Sequence, residues 1–179
     1  MNKYILLLRG INVSGKNLIK MDSLKIIFND LGFENVKTYL QSGNVIFSSK
    51  LNDIREIEKL IKSQIEKKLG LNVPVIVLTI KDLKSYIDNN SLIKNRDEKS
   101  LYFTFLSDKA INYNEEIIKN KITQNEEIEI REKVIYLYCP NGYGNTKLTN
   151  NFLEKNLKVI ATTRNFKTTI ELLKIAEEI

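Results

Sequence analysis

Two stretches that read as short strands, residues 36–40 and 45–49, are separated only by Gln41-Ser42-Gly43-Asn44. A connection this short, with a glycine able to take positive φ, joins antiparallel strands in a hairpin. Helical patterns flank it. On one side Leu24, Ile27, Phe28 and Leu31 recur at helical spacing between an Asp22 cap and Gly32. On the other, Ile54, Ile57, Leu60, Ile61, Ile65 and Leu69 form one stripe across residues 52–69. Asp53 and Glu56 suit the start of that helix, and Lys67, Lys68 and Gly70 its end. Apolar runs at 3–9 and 73–79 enclose the set, giving β-α-β-β-α-β. That is the order of the ferredoxin-like split βαβ unit, with an antiparallel sheet and an α+β fold class.

Thr79 and Asp82 then open a further helix in capping-box style. The polar stretch 88–99 lacks periodicity, after which the order repeats. Residues 101–106 read as a strand, 110–122 as a helix after Asp108, and 127–131 with 134–139 as a hairpin turned by Glu132 and Lys133. Thr146 is placed to cap a helix through Leu157, residues 159–162 read as a short strand, and Asn165 is placed to cap a final helix. The expected organisation is a ferredoxin-like subdomain at 1–87 with its following helix, a linker at 88–99, and a second ferredoxin-like subdomain at 100–179. The last of these carries an additional C-terminal helix.

In a split βαβ unit the end of strand one and the turn between strands two and three share one sheet edge. The stretch Arg9-Gly10-Ile11-Asn12-Val13-Ser14-Gly15-Lys16-Asn17 would therefore meet residues 41–44 beside the start of a helix. The candidate ligand-binding residues are Arg9, Asn12, Lys16, Asn17, Gln41, Ser42 and Asn44. The pattern nearly matches G-x-x-x-x-G-K-[ST], but Asn17 lacks the hydroxyl that binds magnesium and residues 18–21 precede any helical pattern. The NTPase reading therefore fails. A purely structural reading also exists, in which the glycines make turns and the amides cap ends. It accounts less well for Arg9 and Lys16, because a helix start disfavours cations. In the second half, a comparable pair of loops at 140–147 and 162–165 offers Lys147, Arg164 and Asn165, with Lys147 and Arg164 able to converge.

The chain contains no histidine and one cysteine, Cys139. That removes His triads, His metal sites, an internal disulfide and a structural zinc site within one chain, so no metal or cofactor is expected. Cys139 closes an apolar strand and reads as a small buried hydrophobe. No apolar run is long enough to span a bilayer and no signal-peptide cleavage region is evident, so the expected protein is soluble and cytoplasmic, with no membrane partner. The net charge is +6, most of it before Ile80. This leaves a nucleic-acid-binding module using the basic half as the rival to a small phosphorylated or anionic ligand such as a nucleotide. A plain interaction domain is a third reading. The Lys, Ile and Asn excess also fits AT-rich codon usage. The third strand lacks the basic-Gly-aromatic signature of an RNA-recognition motif. Neither a reaction nor an oligomeric state follows from these residues.

The segments Leu8-Arg9-Gly10-Ile11-Asn12-Val13-Ser14-Gly15-Lys16-Asn17, Thr38-Tyr39-Leu40-Gln41-Ser42-Gly43-Asn44-Val45, Pro140-Asn141-Gly142-Tyr143-Gly144 with Lys147-Leu148, and Ala161-Thr162-Thr163-Arg164-Asn165 resemble the bacterial family known as domain of unknown function 1697. Members usually carry Gly in place of Ser14 and Trp in place of Phe166. The resemblance implies an α+β, ferredoxin-like, cytoplasmic protein and no assigned activity.

Overall fold

The structure, a computed structural model, describes residues 1–123 and 125–179. It divides into two compact units, Met1–Ser85 with Glu171–Ile179, and Tyr86–Ile170. Residues 88–99 fall inside the second of these.

The first unit runs β1 (Asn2–Leu8), α1 (Met21–Asp30), β2 (Glu34–Tyr39), β3 (Asn44–Ser49), α2 (Ile54–Leu69), β4 (Val75–Thr79) and the start of α3 (Ile80–Asp88). Its sheet has the order β2-β3-β1-β4, with every pairing antiparallel, as the split βαβ reading requires. Tyr4, Leu6 and Leu8 alternate onto the face that packs against Leu24, Phe28, Ile57 and Ile61 of the two helices. Ile5 and Leu7, on the opposite face, are also buried, which explains the unbroken apolar run of β1.

Most start and stop signals act as the sequence indicates. Asp53 accepts from the backbone N–H groups of Arg55 and Glu56, and Gly70 closes α2 in the left-handed conformation. Thr79 and Asp82 exchange bonds reciprocally: Asp82 N donates to Thr79 Oγ1 at 3.0 Å and Thr79 N to Asp82 Oδ2 at 3.1 Å. The start of α1 is a correction. Its N-cap is Lys20, without a side-chain cap, and Asp22 lies in the first turn, where its charge still favours the dipole.

The second unit contains the end of α3, then β5 (Leu101–Leu106), α4 (Glu115–Lys119), β6 (Glu127–Arg131), β7 (Val134–Tyr138), α5 (Asn150–Leu157), β8 (Ala161–Asn165) and the start of α6 (Phe166–Glu178). Its sheet order, β6-β7-β5-β8, repeats that of the first. Three expected bounds change. The helix expected over 110–122 contracts to α4, because Asn112 takes a φ of 55° and Asn114 caps the shorter helix through Glu116 N. The cap of α5 is Thr149, which accepts from Phe152 N, whereas Thr146 holds Leu148 N. The last strand shifts to Ala161–Asn165, because Lys158 closes α5 with a φ of 59° and leaves Val159 and Ile160 as the connection. Asn165 caps α6 as expected, accepting from Thr168 N at 2.8 Å.

Candidate functional site

The end of β1 is clamped from both sides. Leu8 N donates to Gly43 O at 2.8 Å and Arg9 N to Pro74 O at 3.0 Å. Gly43 has a φ of 76°, and a Cβ there would lie 2.7 Å from both Leu8 Cβ and Ile11 Cδ1. Only glycine allows the turn and the strand end to approach this closely.

The loop that follows is a miniature hairpin. Lys16 N donates to Val13 O at 3.0 Å, Asn12 N to Asn17 O at 3.2 Å, and Val13 and Lys16 form an antiparallel bridge. Ser14 and Gly15 at the tip both have positive φ, 50° and 73°, the signature of a type I′ turn. A P-loop aims successive amides at a phosphate, whereas here two of them close the hairpin. The rejection of the NTPase reading therefore has a backbone reason.

The Asn side chains brace this hairpin. Asn12, at a φ of 53°, donates Nδ2 to Ile19 O at 2.9 Å and to Gln41 O at 2.7 Å, and accepts from Ile19 N at 2.8 Å. Asn17 Nδ2 reaches Gly10 O at 3.0 Å. Buried Asn44 donates to Tyr39 O at 2.8 Å and to Ser42 Oγ at 2.9 Å. These amides are thus occupied in holding the loop and the turn. Lys16 and Gln41 are exposed and Arg9 is half-buried. Loop and turn meet at one edge through the bond from Asn12 to Gln41 O.

The second pair of loops does not assemble in the expected way. Thr162 and Arg164 lie on one face of β8, where the guanidinium donates to Thr162 Oγ1 at 2.9 Å and Arg164 pairs in register with Phe103. Burial pushes its pKa down to about 10. Thr163 projects to the opposite face, towards α5, so strand alternation turns Arg164 away from the side on which exposed Lys147 precedes α5. Asn165 is engaged as the α6 cap.

Around Thr163 lies a polar cluster that sequence reading misses. Its hydroxyl bonds Asn150 Oδ1 at 2.7 Å, Tyr143 Oη at 3.1 Å and Thr104 Oγ1 at 2.7 Å, and the Tyr102 and Tyr143 rings lie 5.3 Å apart. The available signal was Thr-Thr in a strand that pairs with Thr104. Cys139 is buried, and burial, reinforced by Glu126, pushes its thiol up to about 11 against a hydrogen bond with Thr146. Among the described residues no cluster of three or more acidic or thiol side chains could hold a metal ion, and no helix is long and apolar enough to cross a membrane.

A family model described as "Protein of unknown function (DUF1697)" matches residues 1–136. Among solved structures, that of the conserved bacterial protein SP0830 from Streptococcus pneumoniae is similar over 98% of this chain and 98% of its own, with a TM-score of 0.74 and 22% identity. That likeness speaks to the fold. No curated protein matches.

Proposed function

The chain belongs to the DUF1697 family of proteins of unknown function, and from that premise we propose that its first unit binds a small phosphorylated or otherwise anionic ligand where the β1–α1 loop meets the β2–β3 turn. One observation carries the reading. Residues 9–20 contain Arg9, Lys16 and Lys20 and no acid, and the turn at 40–43 is also free of acids. The equivalent edge of the second unit supplies its own anion, Glu132, whose carboxylate lies 3.3 Å from Lys109 Nζ. The backbone of the first edge is already hydrogen-bonded to itself, so charge recognition falls to Lys16 and Arg9, and Gln41 adds a neutral donor. Val13, Leu18 and Leu40 are exposed on the same loop and turn. They give the non-phosphate body of a ligand such as a nucleotide something apolar to lie against. The buried free thiol of Cys139 fits a reducing, cytoplasmic setting.

The test is a thermal-shift series with nucleotides, sugar phosphates, pyrophosphate and a short single-stranded oligonucleotide, run at low and physiological salt. A ligand at a hundred times its Kd stabilises the native state by about 2.7 kcal/mol. At least one small phosphorylated compound should raise the melting temperature with a shallow salt dependence. Silence from every small anion would overturn the proposal. Oligonucleotide binding that persists at physiological salt and falls steeply with added salt would transfer it to the nucleic-acid reading.

A further inference from the structure

We infer that the outer edge of β6 is a self-association surface, on which a second copy of this chain adds its own β6 antiparallel. Each sheet has two edges, and three of the four carry a feature that discourages pairing. The register of β2 slips between Glu34 and Lys37, and Asn35 has a φ of 54°. On β4 the N–H of Val77 is occupied by Glu58 Oε1 at 2.9 Å, and on β8 the N–H of Ala161 by Glu154 Oε1 at 3.0 Å. In contrast, β6 pairs with β7 in unbroken register from Glu127↔Tyr138 to Arg131↔Val134.

The backbone polarity of β6 follows from its neighbours. Leu106 N bonds Lys133 O and Cys139 N bonds Ser100 O, so the odd residues of that stretch face β5. By alternation, Val134, Tyr136 and Tyr138 face β6 and pair there with Arg131, Glu129 and Glu127. The N–H and C=O groups of Ile128 and Ile130 therefore point away from the sheet. The same two residues line a groove of about 230 Å³ together with Tyr113 and Ile118 and the charged Glu115, Lys119 and Glu129. The groove exists because α4 has only five residues, against ten in α1.

The sequence of β6, Glu-Ile-Glu-Ile-Arg, complements itself when reversed about Glu129. Ile128 then pairs with Ile130 of the second copy through both backbone bonds, and the isoleucine-lined part of the groove becomes continuous across the two-fold axis. On the other face Glu127 stands opposite Arg131 of the second copy, twice. Glu127 already pairs with Arg96 and Arg131 with Glu129 within the chain, and both side chains retain exposed area, 39% and 52%, to share with the second copy. The like-charged pair on the axis is tempered because each Glu129 already bonds Arg131 and Ser91 of its own chain.

Sedimentation equilibrium of the full chain across a wide concentration range tests this directly. The mass should rise from one chain to two. Glu127→Arg alone and Arg131→Glu alone each set like charges opposite at two places and should weaken association by about tenfold or more. The double variant restores the pairing between the strands and should recover most of the association that either reversal alone loses. Independently, Glu129→Cys places two thiols across a non-hydrogen-bonded pair, a geometry suited to a disulfide. It should cross-link under mild oxidation, since native Cys139 is buried. A chain that stays monomeric throughout, a dimer indifferent to both charge reversals, or a folded Glu129→Cys variant that does not cross-link would each overturn the assignment.

Discussion

The two units fold the same strand order but treat the same corner of it differently. In the first, the loop after the opening strand is tied to the hairpin turn by a side chain, Asn12 Nδ2 to Gln41 O. In the second, the tie is a backbone bond, Ala110 N to Glu132 O at 3.0 Å, beside the Lys109–Glu132 ion pair. The first loop holds five positive-φ residues, Gly10, Asn12, Ser14, Gly15 and Asn17, whereas the second holds Asn112. The first corner has cations beside a neutral turn, and the second balances Lys109 with Glu132. Topology places the corner in both cases. The side chains decide whether it is a plain connection or a rigid, basic platform.

The largest expected break in this comparison is Gly43→Ala. Positive φ and two contacts at 2.7 Å together predict a loss of about 2–6 kcal/mol. Gly142→Ala in the second unit meets a φ of 84° and ψ of 148° but open space around it, so about 1–3 kcal/mol of strain is expected. Urea unfolding of the two variants should rank them in that order.

Next is the brace. Asn12→Ala removes three hydrogen bonds and forces alanine into the left-handed region, for about 2–4 kcal/mol. Asn114→Ala deletes only the α4 cap, for about 1 kcal/mol. Amide exchange should quicken through residues 10–19 in the first variant and locally around Glu116 in the second.

A smaller effect concerns acid stability of the second unit. Burial alone would raise the pKa of Glu126, but hydrogen bonds from Thr123 and Thr146 outweigh it and hold the group below its ordinary value. A depressed folded pKa means the contribution is complete above the usual carboxylate range and is lost as pH falls through the folded value. Glu126→Gln should therefore flatten the decline in melting temperature on the acid side of that range and leave the pH dependence around neutrality unaltered.

Much of this was legible in the sequence because local chemistry and topology agreed. The hairpin at 41–44, the Thr79–Asp82 box and the Asp53 and Asn165 caps each involve residues within a few positions of one another. The juxtaposition of the 41–44 turn with the β1–α1 loop follows from strand order alone. The rest depended on choices that pattern does not encode. Asn12 had several carbonyls within reach, and only the folded loop shows that it takes Ile19 and Gln41. A strand at 159–162 leaves Arg164 as a loop cation, whereas β8 lies two to three residues later. The true register carries it into the sheet opposite Phe103. The short α4 is not evident from apolar spacing, because the positive φ of Asn112 and the side-chain cap of Asn114 start the helix later than that spacing implies.

The smallest stability effects belong to the residues assigned to the ligand. Lys16→Ala and Gln41→Glu change exposed side chains, so each should alter stability by less than about 0.5 kcal/mol. Gln41→Glu gives the first corner the acid that the second already has. Both should weaken anion binding by about one to two powers of ten, the equivalent of a charged hydrogen bond. The most direct measurement is an amide NMR titration of the full chain with pyrophosphate, performed on the original sequence and on both variants. The account predicts saturating shifts confined to residues 9–20 and 40–44 in the original protein, strongly reduced in each variant. Shifts that are absent, centred on residues 140–147, or unaffected by either substitution would contradict it.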